Sequence, residues 1–292
     1  MMAVCATRNC VPPIRRDHLP GNASLQPHQT DHAGPPAAVD WESVDARIVA
    51  VLPARNEEAA LPGVLAAMPA WLHEVIVVDN GSSDQTAQIA AECGARVVHE
   101  AQAGYGAACL AGIAAAGDCD ILLFLDADGS DWPQEAGLLV APILREEADL
   151  VIGARVASLC EPSALTLPQR FGNHLAAWLM RAVWRVRVTD LGPFRAITRH
   201  ALMKIDMRDR DFGWTVEMQA RALRFGLRMI EVNVHRANRR AGQSKVSGTV
   251  SGVVQAGIKI LFVISREAIH YWASLAKRKP AGLAPKPPAA PR

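Results

Sequence analysis

Long apolar runs are the first thing this sequence lacks. Nowhere do 18 uncharged apolar residues follow one another, so no membrane-spanning helix is expected. The opening MMAVCATRNC has no apolar stretch behind basic residues, and no secretory leader is read from it. Six cysteines (5, 10, 93, 109, 119 and 160) form no CxxC and have no histidine at zinc-ligand spacing. Free thiols in a reducing cytoplasm are the expectation. Aromatics are scarce, at 5%, and no basic-aromatic module suggests a nucleic-acid partner. No internal repeat is found. What remains is 292 residues, half apolar and 21% charged, enough for a globular fold with a substantial core.

The net charge of +2 hides a division. Residues 46–169 carry net −12, and residues 170–245 carry net +10. Such a split predicts two halves with different tasks. The acidic half suits a divalent cation. The basic half suits phosphates or an anionic membrane surface.

Composition divides the chain further. Residues 1–43, rich in Pro, Gly, Ala, Asn and His, read as a disordered arm. Residues 276–292 read as a disordered basic Pro/Ala tail. Between them, 44–245 reads as one patterned domain with halves 44–169 and 170–245, followed by an amphipathic helical segment at 246–275.

The domain's first half alternates strands and helices. Strands are expected at 47–53, 74–79, 95–99, 120–126 and 150–153, with helices at 57–68, 83–93 and 106–116. Ser83 or Asp84 is the expected cap of the second helix. This alternation predicts an α/β fold, a mainly parallel sheet with helices on both faces. Ligands bind such sheets beyond the carboxyl ends of the strands. Polar residues gather at those ends: Pro53-Ala54-Arg55-Asn56-Glu57-Glu58, Asp79 to Asp84, Gly104-Tyr105-Gly106, and Asp126-Ala127-Asp128-Gly129. Asp126 and Asp128 form a D-x-D pair whose carboxylates repel unless a cation lies between them. Hard oxygen ligands suit Mg²⁺ or Mn²⁺.

PARNEE, VVDNGSSD, GYGAA and DADG, in this order, resemble the nucleotide-sugar half of the family 2 glycosyltransferases with the GT-A fold. TDLGPFRAI, FGWTVEM and RRAGQSKVSGT resemble the acceptor half of their polyprenyl-phosphate-sugar synthase branch. The resemblance covers about residues 46–250. It implies a mixed, mainly parallel Rossmann-like sheet. The implied donor is a nucleotide diphosphate sugar, and the implied acceptor is a polyprenyl phosphate. In this reading Pro53, Ala54, Arg55 and Glu57 line the base and ribose pocket. Asp79 accepts a hydrogen bond from the base, and Asp84 helps hold the nucleoside. Gly104 and Gly106 let a helix start close to the nucleotide. Asp126 lies near ribose and metal, and Asp128 ligates the metal. The family often has Tyr or Phe where this chain has Arg55.

In the basic half, Arg239, Ser244 and Lys245 suit phosphate: a guanidinium fork, a point charge and a hydroxyl in a Gly-containing loop. Asp190 and Glu217 are the candidate catalytic carboxylates, with Asp211 a third. Arg195 suits acceptor phosphate, or braces Asp190. Glu217 can instead pair with Arg221 one helical turn on. Segments 173–188 and 246–272 have apolar faces with Trp and flanking cations, as at a bilayer surface. The protein is therefore expected to act in the cytoplasm, peripheral on the inner face of the membrane, with a homo-oligomer left open. Two alternatives accompany the lipid-phosphate acceptor: a glycan or lipid hydroxyl acceptor on the same fold, and a nucleotide-sugar-binding adaptor without catalysis.

Overall fold

The computed structural model describes residues 39–162, 164, 166–239 and 250–277. The expected arm up to residue 38, Ser244, Lys245 and the tail from 278 lie outside the described residues. Residues 39–43 are described. Trp41, in a short 3-10 helix, stacks on Trp71 with ring centroids 4.2 Å apart.

Among the described residues seven strands form one sheet: β1 (Ile48–Ala54), β2 (Glu74–Asp79), β3 (Arg96–His99), β4 (Ile121–Phe124), β5 (Leu150–Cys160), β6 (Arg195–Thr198) and β7 (Met229–Arg236). Their order is β3-β2-β1-β4-β6-β5-β7. Strands β1 to β4 pair in parallel, as do β5 and β7, whereas β6 lies antiparallel between β4 and β5. The sheet is therefore mixed and mainly parallel, as expected. β1 is buried on both faces. Ile48, Ala50, Leu52 and Ala54 enter one core layer, and Val49 and Val51 enter the other. That two-sided burial explains why its sequence is a continuous apolar run rather than an alternation.

Among the described residues there are eight α-helices: α1 (Leu61–Ala66), α2 (Thr86–Glu92), α3 (Tyr105–Ala115), α4 (Ala136–Leu144), α5 (Leu167–Trp184), α6 (Arg199–Ile205), α7 (Trp214–Arg224) and α8 (Val250–Lys277). The first two are shorter than the pattern predicts. Gln85 takes the cap position of α2, while Asp84 bonds Thr86 from just outside. A third apolar layer joins α5, α7 and α8 through Ala176, Met180, Val216, Ala220, Val263 and Ile264. One face of α8 is thus packed. Its other face carries Ile258, Phe262, Ile269 and Trp272, all more than half exposed.

The sheet order sets the site. β2 and β3 lie on one side of β1 and β4 on the other. Strand connectivity therefore reverses between β1 and β4, and the crevice beyond their carboxyl ends is where an open α/β sheet binds its ligand.

Candidate active site

A cleft of about 1030 Å³ opens there. Its polar end is built from β1, β4 and the chain after β7. The Asp126 amide donates to the Asp131 carboxylate at 2.9 Å. Asp128 accepts from the Ser130 amide at 2.9 Å and from its hydroxyl. Arg236, closing β7, pairs with Asp131 and, at 3.3 Å, with Asp126. The Ala237 amide donates to the Ser130 carbonyl at 2.9 Å, stitching β7 to the aspartate loop. Arg239 bridges Glu57 at 2.8 Å and Asp128 at 3.1 Å. Residues far apart in sequence therefore converge: Glu57, Asp126, Asp128 and Arg239, together with Asp131 and Arg236.

The electrostatics follow from crowding. Burial, then the neighbouring Asp131 and Asp128, push the Asp126 carboxyl up to about 7, against the pull of Arg236. Burial alone would lower Arg236, but the three aspartates raise it above its ordinary value. Among the described residues no group of three or more His, Cys, Asp or Glu is arranged as a metal cage. A cation held by one or two carboxylates, water and phosphate oxygens needs no such cage. The donor set is hard oxygen, and the repulsion from Asp131 and Asp128, which adds to burial in lifting Asp126, is what a divalent ion would relieve. The site therefore fits Mg²⁺ or Mn²⁺ on Asp128 with Asp126 beside it.

Loops at the ends of β1 and β2 shape the next wall. Pro53, Ala54, Arg55, Glu57 and Asn80 line the cleft. Asn56 adopts φ +52°, a left-handed conformation asparagine tolerates, and its side chain accepts from the Ser83 amide at 2.8 Å. Asp79 and Asp84 are not among the lining residues. Asp79 accepts from the Ser82 amide at 3.1 Å and pairs with His99 at 3.2 Å. Asp84 takes the Thr86 amide at 3.1 Å, its hydroxyl at 2.5 Å, and the Glu58 amide at 3.3 Å. Burial would raise the Asp84 carboxyl, but these bonds hold it below its ordinary value. Both aspartates tie loops together, and Asn80 takes the place in the wall expected of Asp79. Asn80 donates to the Glu100 and Gln102 carbonyls and accepts from the Gly104 amide at 2.8 Å.

Gly104 lines the cleft, but its freedom, like that of Gly106, serves a second purpose. A Cβ on Gly104 would stand 2.1 Å from the Arg210 carbonyl oxygen, and one on Gly106 2.2 Å from that of Asp209. The glycines let α3 begin against the backbone of 209–210, where the Ala107 amide donates to the Arg210 carbonyl at 2.9 Å.

The other end of the cleft is apolar, walled by Phe171 and Leu175 of α5, Leu191, Phe212, and Ile260 and Leu261 of α8. Arg155 lines the cleft as well, and Asp190 holds it with two bonds at 2.6 and 2.7 Å. Asp190 further accepts from the Arg155 and Leu191 amides and from Asn173. These interactions outweigh burial and keep its carboxyl below the ordinary value. Asp190 does not line the cleft, and so many donors leave a poor proton acceptor. The expectation of a base is replaced by an anchor for Arg155.

Two other expectations are corrected. Arg195 is fully buried and donates to the Gly192, Leu191 and Thr215 carbonyls. It makes no direct bond to Asp190 and does not line the cleft. Burial lowers it to about 10. Glu217, also fully buried, accepts the Arg208 and Asp209 amides at 2.9 and 2.6 Å. It pairs with Arg266 of α8 at 2.5 Å and with Arg221 at 3.5 Å. It is a structural junction, and the helical-turn pairing with Arg221 is present. Asp211, the third carboxylate, does line the cleft.

Asp131, Arg236, Arg155 and Asn80 are site residues that the sequence motifs do not single out. Asp131 and Asn80 each sit beside a motif residue. Arg155 follows an apolar strand core, and Arg236 ends an alternating one; a cation at a strand's carboxyl end was the available signal.

The model of glycosyl transferase family 2 matches residues 49–206, more than half of the chain. An uncharacterised glycosyltransferase of Mycobacterium tuberculosis is 41% identical over 220 residues, covering 75% of this chain and 98% of that protein. The undecaprenyl-phosphate mannosyltransferase of Micrococcus luteus is 29% identical over 224 residues, covering 70% of this chain and 90% of that protein. The fold is also that of glucosyl-3-phosphoglycerate synthase from M. tuberculosis, crystallised with Mn²⁺, UDP and glucosyl-3-phosphoglycerate. The TM-score is 0.63 at 24% identity, over 77% of this chain and 80% of that one. A doubly covered sheet with its acidic crevice at the β1/β4 reversal, and a matching family model across that crevice, place this chain among the family 2 glycosyltransferases.

Proposed function

We propose that this glycosyltransferase moves a sugar from a nucleotide diphosphate sugar to a polyprenyl phosphate, with inversion at the anomeric carbon. The observation that carries the reading is the cleft's division. Carboxylates and guanidiniums line one end, apolar side chains line the other, and Arg155 stands among the polar lining residues. The name of the M. luteus relative points to the same acceptor class.

In this reading Pro53, Ala54, Arg55, Glu57 and Asn80 hold base and ribose. Asp128, with Asp126, holds Mg²⁺ or Mn²⁺, which neutralises charge on the leaving diphosphate when bound. Arg236 and Arg239 offer guanidinium forks to phosphate oxygens, with Ser244 and Lys245 assigned to the same task. Arg155, fixed in orientation by Asp190, meets the acceptor phosphate at the mouth of the apolar end. An acceptor phosphate oxygen attacks the anomeric carbon as its bond to the diphosphate breaks. That oxygen is already anionic near neutral pH, so no side chain must remove a proton. This agrees with Asp190 being engaged by Arg155 behind the cleft lining and Glu217 by Arg266.

Contact with the inner face of the membrane belongs to the same proposal. Ile258, Phe262, Ile269 and Trp272 share one face of α8, and Phe171 and Trp178 are exposed on α5. Leu261 and Phe171 are both exposed and part of the cleft wall, so a lipid can pass from surface to site without crossing water. Among the described residues no helix is long and apolar enough to cross a membrane.

Asp211 favours a second reading, in which the acceptor is a hydroxyl and this carboxylate is its base. Incubation with UDP- and GDP-sugars, Mn²⁺ and a polyprenyl phosphate separates the two. A glycosyl phosphopolyprenol, formed at a rate that Asp211→Asn lowers only a few-fold, supports the first. No lipid product, with near-complete loss of transfer to a hydroxyl acceptor in Asp211→Asn, supports the second.

A further inference from the structure

Both carboxylate oxygens of Asp128 are engaged. Oδ1 faces Ser130, accepting its amide at 2.9 Å and its hydroxyl. Oδ2 meets Arg239, whose Nη2 lies 3.1 Å away, while Nη1 of the same guanidinium lies 2.8 Å from Glu57. A cation is therefore already seated on the oxygen that Asp128 would offer a metal ion. Arg236 also pairs with aspartates, but it is held differently. It is buried, its main chain bridges to Asp131, and the amide of the next residue, Ala237, bonds the Ser130 carbonyl. Arg239 stands three residues further on. A quarter of its side chain is exposed, it lines the cleft, and these two ion pairs join side chains only. Arg236 is built into the aspartate loop. Arg239 is laid across it, and can leave without breaking the main-chain pairing of 130–131 with 236–237.

A divalent ion and a guanidinium repel each other strongly on one carboxylate oxygen, the more so where Asp128 is only 9% exposed. Without a metal ion, the buried carboxylates of Asp128 and Glu57 need a counter-charge, and Arg239 supplies it. Its planar fork suits phosphate oxygens equally well. We infer that Arg239 is an exchangeable counter-cation: it guards Asp128 against metal ions that arrive alone, and passes to the diphosphate when metal and donor bind together. This rests on the nucleotide-sugar reading above. The exchange makes the carboxylates selective for a metal ion that comes with phosphate, because only the diphosphate offers Arg239 a replacement for the partners it gives up.

The test is calorimetry on the full chain, with Mn²⁺ alone and then with UDP and GDP in excess Mn²⁺, for the parent, Arg239→Gln and Arg239→Lys. For Arg239→Gln the two titrations should change in opposite directions. Mn²⁺ alone should bind about tenfold tighter, and the nucleotide diphosphate that the parent binds about tenfold weaker, with a Tm close to the parent's. Arg239→Lys keeps the charge and should hold Mn²⁺ off as the parent does. An affinity of Arg239→Gln for Mn²⁺ alone that is equal to the parent's or weaker, including binding by neither, overturns the inference. So does an Arg239→Lys that matches Arg239→Gln, since charge would then not be what keeps the ion off. Nucleotide binding that Arg239→Gln leaves unchanged overturns it as well. A parent that binds neither nucleotide in the presence of Mn²⁺ overturns the donor reading itself.

Discussion

Two clusters are built from buried carboxylates and basic side chains. One comprises Asp126, Asp128, Asp131, Arg236, Arg239 and Glu57. The other comprises Glu217, Asp209, Glu267, Arg221, Arg266 and Lys259. Both use the same residue types at similar spacing, and both are largely buried. The first opens on the cleft, crowds three aspartates against each other, and lifts Asp126 to about 7. The second is sealed between α7 and α8. There Lys259 meets Asp209 at 2.9 Å, and Arg224 meets Glu267 at 2.6 Å. Frustration in one and saturation in the other separate a site from a strut. An ion pair's burial says little about its task, whereas its access to a cavity and its unmet charge say a great deal.

The sharpest way to break the comparison is Glu217→Ala. Loss of this carboxylate leaves two main-chain amides without their partner and Arg266 with Glu267 alone, and about 3–5 kcal/mol of stability should go with it. Chemical denaturation reads that loss. Donor affinity of the remaining folded protein should stay within about threefold, and a collapse of turnover with stability intact would place Glu217 in the chemistry instead. Asp190→Asn comes next. It loosens Arg155, so KM for a phosphate acceptor should rise about tenfold, with a smaller change in kcat and none in donor affinity. A large fall in kcat alone would restore Asp190 as a base. The last effect is one of pH. Asp126 keeps its proton in the folded chain up to about 7, while its unfolded carboxyl loses it near 3.8. The folded state thus binds more protons between these values, and stability should decline as pH rises through that window. Asp126→Asn should flatten this decline, so that the variant gains on the parent at pH 8 and not at pH 4 in thermal melts.

Local signals made half of the molecule legible. β1, β2 and β4 are buried on both sides and read as unbroken apolar runs, so their ends, and with them Asp126 and Asp128, could be placed in one crevice. β6 escaped because it has four residues and starts with a buried arginine, which no period-2 or apolar pattern flags. α4 escaped as well, an apolar stretch with Pro142 inside it. The roles of carboxylates were the least legible part. Arg221 lies one turn from Glu217 and could be weighed, but Arg266 is 49 residues away. Asp190 and Arg155 are 35 apart, and only the fold reveals that each acid is already spoken for. The glycines of GYG signalled a close approach, and the partner proved to be the backbone of 209–210.

The claim on which the account depends is that the cleft-facing aspartates hold a divalent ion against a diphosphate. Calorimetric titration of UDP-glucose and GDP-mannose, with and without Mn²⁺, into the parent and Asp128→Ala tests it directly. The account predicts metal-dependent binding of one donor by the parent, weakened at least about 100-fold in a variant that melts like the parent. Binding that ignores Mn²⁺, or that survives unchanged in Asp128→Ala, would contradict it.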